Sequence, residues 1–269
     1  MRLKRAKAVG LDVTAPAAIA PSSMAPIKRR QRKLVAGERF HSHQHSWDQL
    51  AVSLNGSVLI LMGGSGGQAQ FVSPSRSAWI PAGQTHALEA FTDCTYVSLY
   101  LDPLQPLFSS REVQTVELRR FAVELIGQLD SHTMENTSAR YRAIVFLLYE
   151  ELRSGLSQGD RFFLPFDKRL NAVCNHVFDH LGERESNAAI AARYGLSART
   201  LSRLSRNQLG TSFAHWRSLV TLSFARTLLQ DGLPIALVAY TCGFSSVSAF
   251  HLRFKSMFKA SPGRFRQDS

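Results

Sequence analysis

Cysteine is scarce in this sequence and long hydrophobic runs are missing, and these shortages exclude several classes of protein. The 269 residues include three cysteines, which lie far apart and form no CxxC pair, so neither a zinc knuckle nor a disulfide framework is predicted. We expect three buried free thiols in a reducing compartment. No apolar run approaches the length of a membrane span, and Asp12 and Pro16 interrupt the N-terminal stretch that could resemble a signal peptide. The sequence therefore predicts a cytoplasmic protein without a membrane anchor.

Acidic residues are outnumbered by basic ones, and the imbalance is uneven along the chain. The chain has 32 Lys and Arg against 20 Asp and Glu, a formal net charge of +12. Residues 1–33 hold nine basic residues against one acidic, residues 34–165 hold nine against thirteen, and residues 166–269 hold fourteen against six. A basic C-terminal block favours contact with nucleic acid. The acidic middle is a poor surface for nucleic acid and must have another role.

The N-terminal half is predicted to contain a tail followed by a β-domain. Residues 1–30 are rich in Ala, Pro, Ser and basic residues, which predicts a disordered basic tail, with an auxiliary DNA-contacting arm as the alternative. Residues 31–103 contain short β-rich runs separated by turn formers such as Asn55-Gly56. Closely spaced strands without helices between them predict a small barrel or sandwich. The clearest strand candidates are 49–54, 57–62, 78–80 and 95–100.

Residues 104–160 have a helical pattern and are predicted to form a dimerisation and linker region. Two helices are predicted here. The later one, from Tyr141 to Arg153, is apolar nearly all round, so we expect it to be largely buried against the β-domain, a neighbouring helix or a second copy of the chain. Residues 154–160 are typical of a flexible linker. The first helix is indicated by apolar residues at three- and four-residue intervals, namely Leu118, Phe121, Ala122, Leu125, Ile126 and Leu129.

The last hundred residues contain one pattern twice. The segment from Ala191 to Ser197 is echoed by the segment from Ala239 to Ser245. In each copy a short helix ends at a glycine. One apolar residue and a serine follow, and a basic helix begins after them. This order is typical of a helix-turn-helix, because glycine adopts the backbone conformation of the turn and the serine oxygen caps the second helix. Two such units predict a protein that reads two turns of DNA from one side.

The predicted DNA-binding domain spans 166–269. Its long central helix, 212–230, would join the two units rigidly and so would fix the separation of their reading helices. Pro234 suits a first helical position, and Thr211 or Ser212 suits a cap. The helices are predicted at about 168–181, 187–194, 198–209, 212–230, 234–241 and 246–258, with a last short one after Pro262.

Each reading helix has an apolar inner face and a polar outer face. Leu201 and Leu204 lie on the inner face of the first helix, and a stripe of phenylalanines at four-residue spacing does so in the second. Arginines on an outer face can form hydrogen bonds with guanine or with phosphates. When a protein has only one charged helix face of this kind, that face is more often simply exposed to solvent. The candidate DNA contacts are Arg199, Ser202, Arg203 and Arg206 in the first unit and Ser246, Val247, Ser248, His251 and Lys255 in the second.

A series of motifs runs through the C-terminal domain. They are Ala191-x-x-Tyr194-Gly195-Leu196-Ser197-x-x-x-Leu201-x-Arg203-Leu204, Gly210-Thr211-Ser212-Phe213, Ala225-x-x-Leu228-Leu229, Ile235-x-x-Val238-Ala239, Cys242-Gly243-Phe244-Ser245-Ser246, Phe250-x-x-x-Phe254-Lys255 and Ser261-Pro262-x-x-Phe265-Arg266. With these motifs the domain resembles the DNA-binding domain of the AraC/XylS family of bacterial transcription regulators, and the resemblance implies sequence-specific binding to promoter DNA. Two positions depart from the family pattern: Ser205 stands where a core Phe is usual, and Leu252 where many members have a basic residue.

The acidic domain carries His43, His45 and Gln49 at even spacing, followed later by His86. This arrangement resembles the two motifs of cupins, which implies a cupin-like barrel with converging side chains, and even spacing does place residues on one side of a strand. The donor set would suit one divalent transition metal such as zinc, iron, nickel or manganese. Gln49 replaces the Glu that is common in metal-binding cupins. A metal-free effector pocket and purely structural histidines remain alternatives.

The fold class is therefore predicted as α+β multidomain, with a cupin-like β-barrel and flanking helices followed by an all-α domain with two helix-turn-helix units. We expect an effector-responsive transcriptional regulator without catalytic residues. The resemblance to a cupin-bearing subgroup of the family implies control of a neighbouring transport or metabolic gene. The expected partners are promoter DNA, a small-molecule or metal effector, a second copy of the chain and RNA polymerase. A cupin metalloenzyme with an appended DNA-binding domain is the main alternative, and an architectural DNA binder is another.

Overall fold

The computed structural model describes residues 10–11, 20–63, 66–104, 107–129, 138–157 and 159–266. Contacts divide these residues into an N-terminal unit, within 10–62 and 70–160, and a C-terminal unit, within 63–69 and 161–266. No helix in the described ranges is both long and apolar enough to cross a lipid bilayer. The three cysteines are buried and none forms a disulfide, as predicted.

Residues 10–163 contain twelve described strands and two helices. The elements are β1 (Gly10–Leu11), β2 (Ile27–Leu34), β3 (Arg39–His43), β4 (Asp48–Asn55), β5 (Val58–Met62), β6 (Gln68–Val72), β7 (Arg76–Ile80), β8 (His86–Ala90), β9 (Cys94–Leu101), β10 (Gln114–Glu117), α1 (Arg120–Gln128), α2 (Ala139–Ser154), β11 (Leu156–Ser157) and β12 (Arg161–Phe163).

The strands form two six-stranded sheets. One has the order β1-β3-β8-β5-β6-β12, and the other has the order β11-β10-β7-β4-β9-β2. The four strands predicted most clearly correspond to β4, β5, β7 and β9. Neither sheet closes on itself in this order, so the structure shows a mixed α/β region with two open sheets and does not confirm a closed cupin-like barrel.

Strand alternation explains how the second sheet is covered on both faces. Leu50 and Val52 of β4 belong to a core cluster with residues of α1 and α2. Ala51, between them, belongs to a second cluster shared with strands of the other sheet. Successive side chains of a strand point to opposite faces, so the sheet lies between the helices and the first sheet. A strand such as β4, which is buried on both faces, therefore has apolar residues at successive positions.

The predicted boundary of the basic tail is wrong. Residues 27–30 belong to β2, which pairs antiparallel with β9 from Ile27 opposite Leu101 to Leu34 opposite Cys94. Buried Ile27 and Leu34 hold the ends of this strand in the core, and its basic middle completes the hydrogen-bond ladder. Residues 1–9 and 12–19 of the predicted tail lie outside the described residues.

The region 104–160 is less helical and less buried than predicted. It contributes β10 and β11 to the second sheet, so part of the predicted flexible linker 154–160 is a strand. Phe121, Phe146 and Leu147 are exposed, because only one side of α1 and α2 packs on the sheet and on the neighbouring helix. The second helix is therefore only partly buried within one chain, and burial of its exposed side against a second copy stays a prediction.

The helices of the C-terminal unit agree with the predicted ones to within one or two residues. Four of them begin at serine caps and one at an aspartate cap, since side-chain oxygens there accept the first free backbone amides. Ser212, one of the two predicted caps, caps the central helix, which packs against both helix-turn-helix units. The elements are α3 (Lys168–Asp179), α4 (Asn187–Arg193), α5 (Ala198–Leu209), α6 (Phe213–Gln230), α7 (Ile235–Thr241), α8 (Val247–Phe258) and a short 3-10 helix (Pro262–Phe265).

Candidate nucleic-acid interface and histidine cluster

The first helix-turn-helix consists of α4 and α5. Gly195 between them has φ +68°, in the left-handed region that favours glycine. Ser197 then caps α5, its Oγ accepting the N–H of Thr200 at 3.1 Å. Leu201 and Leu204 are buried, as predicted for the inner face. The local backbone therefore fixes which side of α5 faces outward.

The outer face of α5 carries unpaired positive charge. Arg199, Ser202, Arg203 and Arg206 are all exposed. None of the three arginines has a carboxylate partner among the described residues, whereas Arg193 of α4 pairs with Glu185 at 2.8 Å. Unpaired guanidinium groups on a reading helix are free to form bidentate hydrogen bonds with guanine or phosphate.

The second helix-turn-helix consists of α7 and α8. Gly243 has φ +80°, and Phe250 and Phe254 are fully buried on the inner face. Ser246 caps α8, its Oγ accepting the N–H of Ala249 at 3.1 Å. The capping serine is thus one residue later than the Gly-x-Ser pattern predicts, because the turn after Gly243 is longer than the turn after Gly195.

The outer face of α8 carries less free charge than that of α5. Ser248 and Lys255 are exposed, while Ser246, Val247 and His251 are half-buried. Leu252 is 75% exposed. Arg253 donates to the Ser218 hydroxyl of α6 at 3.1 Å, so this guanidinium is partly engaged within the unit. The structure thus gives the two predicted reading faces different chemistry.

Side-chain contacts that sequence reasoning missed hold the start of the first unit. Glu185 accepts from His176 Nε2 at 3.0 Å and from Arg193 at 2.8 Å. The hydrogen bond from Arg193 is the largest of the effects that lower the pKa of Glu185. Arg217 of α6 donates to the Glu183 and Glu185 carbonyl oxygens and to Asn187. This network joins the loop before α4 to the central helix, and residues so far apart in sequence gave no local signal for it.

In the N-terminal unit, three of the four predicted metal ligands come together. Side-chain nitrogens of His43, His45 and His86 lie within 4.8 Å of one another. β3 and β8 place His43 directly opposite His86 in the sheet, and their ring centroids are 4.3 Å apart. The structure therefore brings these three histidines of the sequence pattern together in one cluster.

In two of these histidines, the proton is on Nδ1, so Nε2 is available to bind a metal ion. His43 Nδ1 lies 2.8 Å from the His41 carbonyl oxygen, and His86 Nδ1 lies 2.9 Å from the Gln84 carbonyl oxygen. A carbonyl oxygen can only accept, so each Nδ1 carries the proton and each Nε2 keeps a lone pair. His86 Nε2 is buried without a hydrogen-bond partner among the described residues. Burial lowers the pKa of His86 to about 3 and also lowers the pKa of His43.

Gln49, the fourth predicted ligand, is already engaged. Its Oε1 lies 2.8 Å from His45 Nε2, and its Nε2 donates to the hydroxyls of Tyr96 at 2.9 Å and Ser98 at 3.1 Å. His45 Nδ1 also lies 2.7 Å from the Trp47 carbonyl oxygen. The contact between Gln49 and His45 must break before both could bind one ion. His43 and His86 are thus more open to a ligand than His45 and Gln49.

A small cavity of about 20 Å³ adjoins the cluster. Arg30 and Arg32 of β2 line it together with side chains of the histidine cluster. Sequence reasoning missed both arginines because the predicted tail ended at residue 30, and the strand that holds them, β2, pairs with β9 far along the chain. The local sequence offered little signal, since five of the six residues from 28 to 33 are basic and do not alternate with apolar ones. The cavity is lined by Arg30, Arg32, Phe40, His43, Gln49, His86, Leu88, Tyr96, Ser98 and Tyr100.

Comparisons with known proteins point to the C-terminal unit first. A family model described as a helix-turn-helix domain matches residues 190–268. The HTH-type transcriptional regulator NimR of Escherichia coli K12 is 25% identical over 224 residues, covering 83% of this chain and 81% of its own length. The arabinose operon regulatory protein of Salmonella typhimurium is 34% identical over 146 residues, or 53% of this chain. The chain spans about half, 52%, of the length of that relative.

Two solved structures are also similar. An AraC-type DNA-binding domain protein from Chromobacterium violaceum is 30% identical, with 36% of this chain and 88% of that chain covered and a TM-score of 0.35. ToxT from Vibrio cholerae is 13% identical, with 91% and 98% covered and a TM-score of 0.38. These TM-scores are too low to support a shared overall fold. The sequence relatives, the matched domain and the two folded helix-turn-helix units together carry the assignment: the chain is a DNA-binding transcriptional regulator, and it is similar to AraC-family regulators.

Proposed function

We propose that this regulator is effector-responsive. The N-terminal unit binds a small molecule or metal in the cytoplasm, and the C-terminal unit reads two adjacent major-groove segments of a promoter. The carrying observation is the outer face of α5, where Arg199, Arg203 and Arg206 are exposed without carboxylate partners among the described residues. An effector shifts DNA binding only if it has different affinities for the two arrangements of the protein. RNA polymerase and a neighbouring transport or metabolic gene are the expected partner and target.

Quantitative gel-shift titration of the full chain tests this proposal. The DNA upstream of the gene is compared with a random duplex of the same length and at the same salt concentration, because phosphate contacts make affinity strongly salt-dependent. We expect tighter binding to the upstream DNA and a change in that affinity when the effector is added. Equal affinity for both duplexes would contradict sequence-specific reading.

The histidine cluster is proposed to hold one divalent transition metal. The residues fit in part: His43 and His86 offer free Nε2 lone pairs, and His86 Nε2 is buried without a partner in the described part of the chain. His45 and Gln49 would complete the donor set once their mutual contact breaks. A bound ion would supply an open coordination position for an effector.

Elemental analysis tests the metal proposal. Protein purified without chelators is compared with His86→Ala and with His41→Ala, which keeps the backbone carbonyl that orients His43. We expect metal near one equivalent in the parent and in His41→Ala, and its loss in His86→Ala. Metal in none of the three proteins, or equally in all, would exclude this cluster as the site.

A homodimer is proposed to form through α1 and α2. Phe121, Phe146 and Leu147 are 46%, 66% and 41% exposed, and exposed large apolar side chains on adjacent helices favour burial in an interface. Phe146→Asp should shift the chain from dimer to monomer in sedimentation velocity, while the neighbouring Arg142→Asp should shift it less. A monomeric parent chain would contradict the proposal.

We also infer that the chain is not an enzyme. The cavity beside the histidine cluster contains no carboxylate in its lining. The buried acids near it have structural partners, since Asp48 accepts the N–H of Ala82 at 2.8 Å and Glu89 pairs with Arg39 at 2.8 Å. Turnover by the metal-loaded protein on small organic substrates of cupin metalloenzymes would overturn this inference.

A further inference from the structure

The cavity beside the histidine cluster has a positively charged wall. Arg30 of β2 lies opposite Ser98 of β9, and Arg32 lies opposite Tyr96. Directly opposed residues of an antiparallel pair share one face of the sheet, so two guanidinium groups and two hydroxyls face the same side. Tyr100, opposite Lys28, adds a third hydroxyl-bearing side chain to the lining.

This positive charge has no counter-charge among the described residues. Neither Arg30 nor Arg32 forms an ion pair with any described residue, and Arg32 lies over the Phe40 ring at 5.2 Å from its centroid. Both arginines are half-buried, and a charge removed from water without a partner is costly. Burial first, and Arg30 second, lowers the pKa of Arg32. Residues two apart on a strand are about 7 Å apart, so the two like charges also repel.

Other arginines of the same unit show the opposite arrangement. Arg39 pairs with Glu89 at 2.8 Å, Arg76 with Glu117 at 3.7 Å, and Arg120 with Glu124 at 3.0 Å. The surrounding sequence, residues 34–165, has thirteen acidic residues against nine basic ones. Carboxylates are therefore abundant, yet none lines this cavity. The missing counter-charge is most simply supplied by a ligand.

We propose that this cavity binds the carboxylate group of a small organic anion. Arg30 and Arg32 pair with the carboxylate, and the Ser98 and Tyr100 hydroxyls bound the same space. This proposal rests on the proposed effector role of the N-terminal unit and names the chemical class of its ligand. Arginine suits this role because its planar donors match the two oxygens of a carboxylate.

The size of the cavity limits the ligand. A volume of about 20 Å³ is room for about one water molecule, whereas pockets for drug-sized ligands are roughly 300–1,000 Å³. One carboxylate oxygen fits this space, and the rest of the ligand extends toward the long, half-exposed side chains of Arg30 and Arg32. A sugar or a planar polycyclic molecule does not fit without large rearrangement.

Isothermal titration calorimetry on the full chain tests the proposal. Acetate, pyruvate and succinate are titrated against their matched amides and against inorganic phosphate and sulfate, with chelator-treated and metal-loaded protein. We expect a carboxylate to bind at least about tenfold more tightly than its amide, as a charged hydrogen bond provides. Equal binding of carboxylates and amides in both preparations would overturn the proposal, and preferred binding of phosphate or sulfate would replace it with an inorganic-anion site.

Variants on the two faces of β2 provide matched controls. Arg30→Gln and Arg32→Gln should each weaken carboxylate binding about tenfold or more, while Lys33→Gln, on an exposed position of the same strand, should change it less than about twofold. Without anion, Arg32→Gln should melt at a higher temperature than the parent, and saturating carboxylate should remove this difference. Equal effects of Arg32→Gln and Lys33→Gln would show a general charge effect and no site.

The same variants separate this inference from the proposed effector role. If carboxylates bind through Arg30 and Arg32 but leave the affinity for upstream DNA unchanged, the anion site stands and the effector role fails. If a metabolite changes DNA binding equally in the parent and in Arg32→Gln, the effector role stands and the cavity is not its site.

Discussion

The two helix-turn-helix units share one backbone design but differ in surface and packing. Both have a glycine in the left-handed region and a serine cap before the reading helix. The outer face of α5 presents three exposed arginines that pair with no carboxylate in the described part of the chain, whereas α8 presents Leu252 in the middle of its exposed face. We therefore expect the first unit to provide most of the DNA contacts and the second mainly to position the domain.

The turns differ as much as the outer faces. A Cβ at Gly195 would meet no atom within 4 Å, but a Cβ at Gly243 would lie 2.4 Å from the Gly182 carbonyl oxygen. Gly182 makes the reciprocal close approach to the Thr241 carbonyl oxygen. The second turn is therefore packed against the loop before α4, while the first is open.

The largest predicted effect follows from this packing. Gly243→Ala should lower the free energy of unfolding by about 3–5 kcal/mol, because backbone strain and overpacking act together. Gly195→Ala should lower it by about 1–2 kcal/mol, since only the left-handed conformation is penalised. Urea denaturation followed by circular dichroism measures both, and equal losses would contradict the difference between the turns.

The next effect concerns specificity. Arg203→Ala should weaken binding to the upstream DNA by about 1–3 kcal/mol, as expected for loss of a bidentate base contact, with a smaller effect on random DNA. Lys255→Ala should weaken binding to both duplexes alike and reduce the salt slope by about one, as a phosphate contact does. Fluorescence anisotropy at several salt concentrations measures both. Equal losses on both duplexes for Arg203→Ala would make it a phosphate contact.

The caps should be alike in the two units. Ser197→Ala and Ser246→Ala should each lower the free energy of unfolding by about 1 kcal/mol, because each removes the oxygen that accepts a free amide of α5 or α8. Ser245→Ala is the matched control, since Ser245 is exposed and precedes the cap, and surface substitutions change stability by about 0.5 kcal/mol or less. A larger loss for Ser245→Ala than for Ser246→Ala would place the cap where the sequence pattern alone predicted it.

The smallest effect would make the second unit more like the first. Leu252→Arg adds a cation to the exposed face of α8 and should increase the salt dependence of DNA binding by about one phosphate contact. The same anisotropy titrations measure this salt dependence. Leu237→Arg, at an exposed position of α7, is the control for added charge. An unchanged slope would show that this position of α8 does not face the DNA backbone.

How much could be predicted from sequence depended on how local the signals are. The C-terminal helices followed from caps, glycines and prolines within a few residues of each boundary, such as Ser212 and Gly195. β2 was missed because its partner, β9, lies far along the chain and its composition is basic. The exposed side of α2 could not be predicted, since Phe146 differs from buried Leu148 only in what packs against it.

The candidate sites show the same limit. The resemblance to cupin motifs implied that His43, His45 and His86 converge, and the structure brings the three side chains together. Arg30 and Arg32 line the same cavity because β2 pairs with β9. No local sequence pattern predicts that pairing. The outward direction of Arg203 was predictable from helical periodicity, because buried Leu201 and Leu204 fix the opposite face.

The most direct test of the unequal roles of the two units is methylation interference on the upstream DNA bound by the full chain. Guanine N7 methylation blocks major-groove contacts, so it reports each reading helix separately. We expect two sensitive segments about one helical turn apart, near 10–10.5 base pairs, with strong interference in one that disappears in Arg203→Ala and weak interference in the other. Two segments of equal strength, or interference unchanged by Arg203→Ala, would contradict the account.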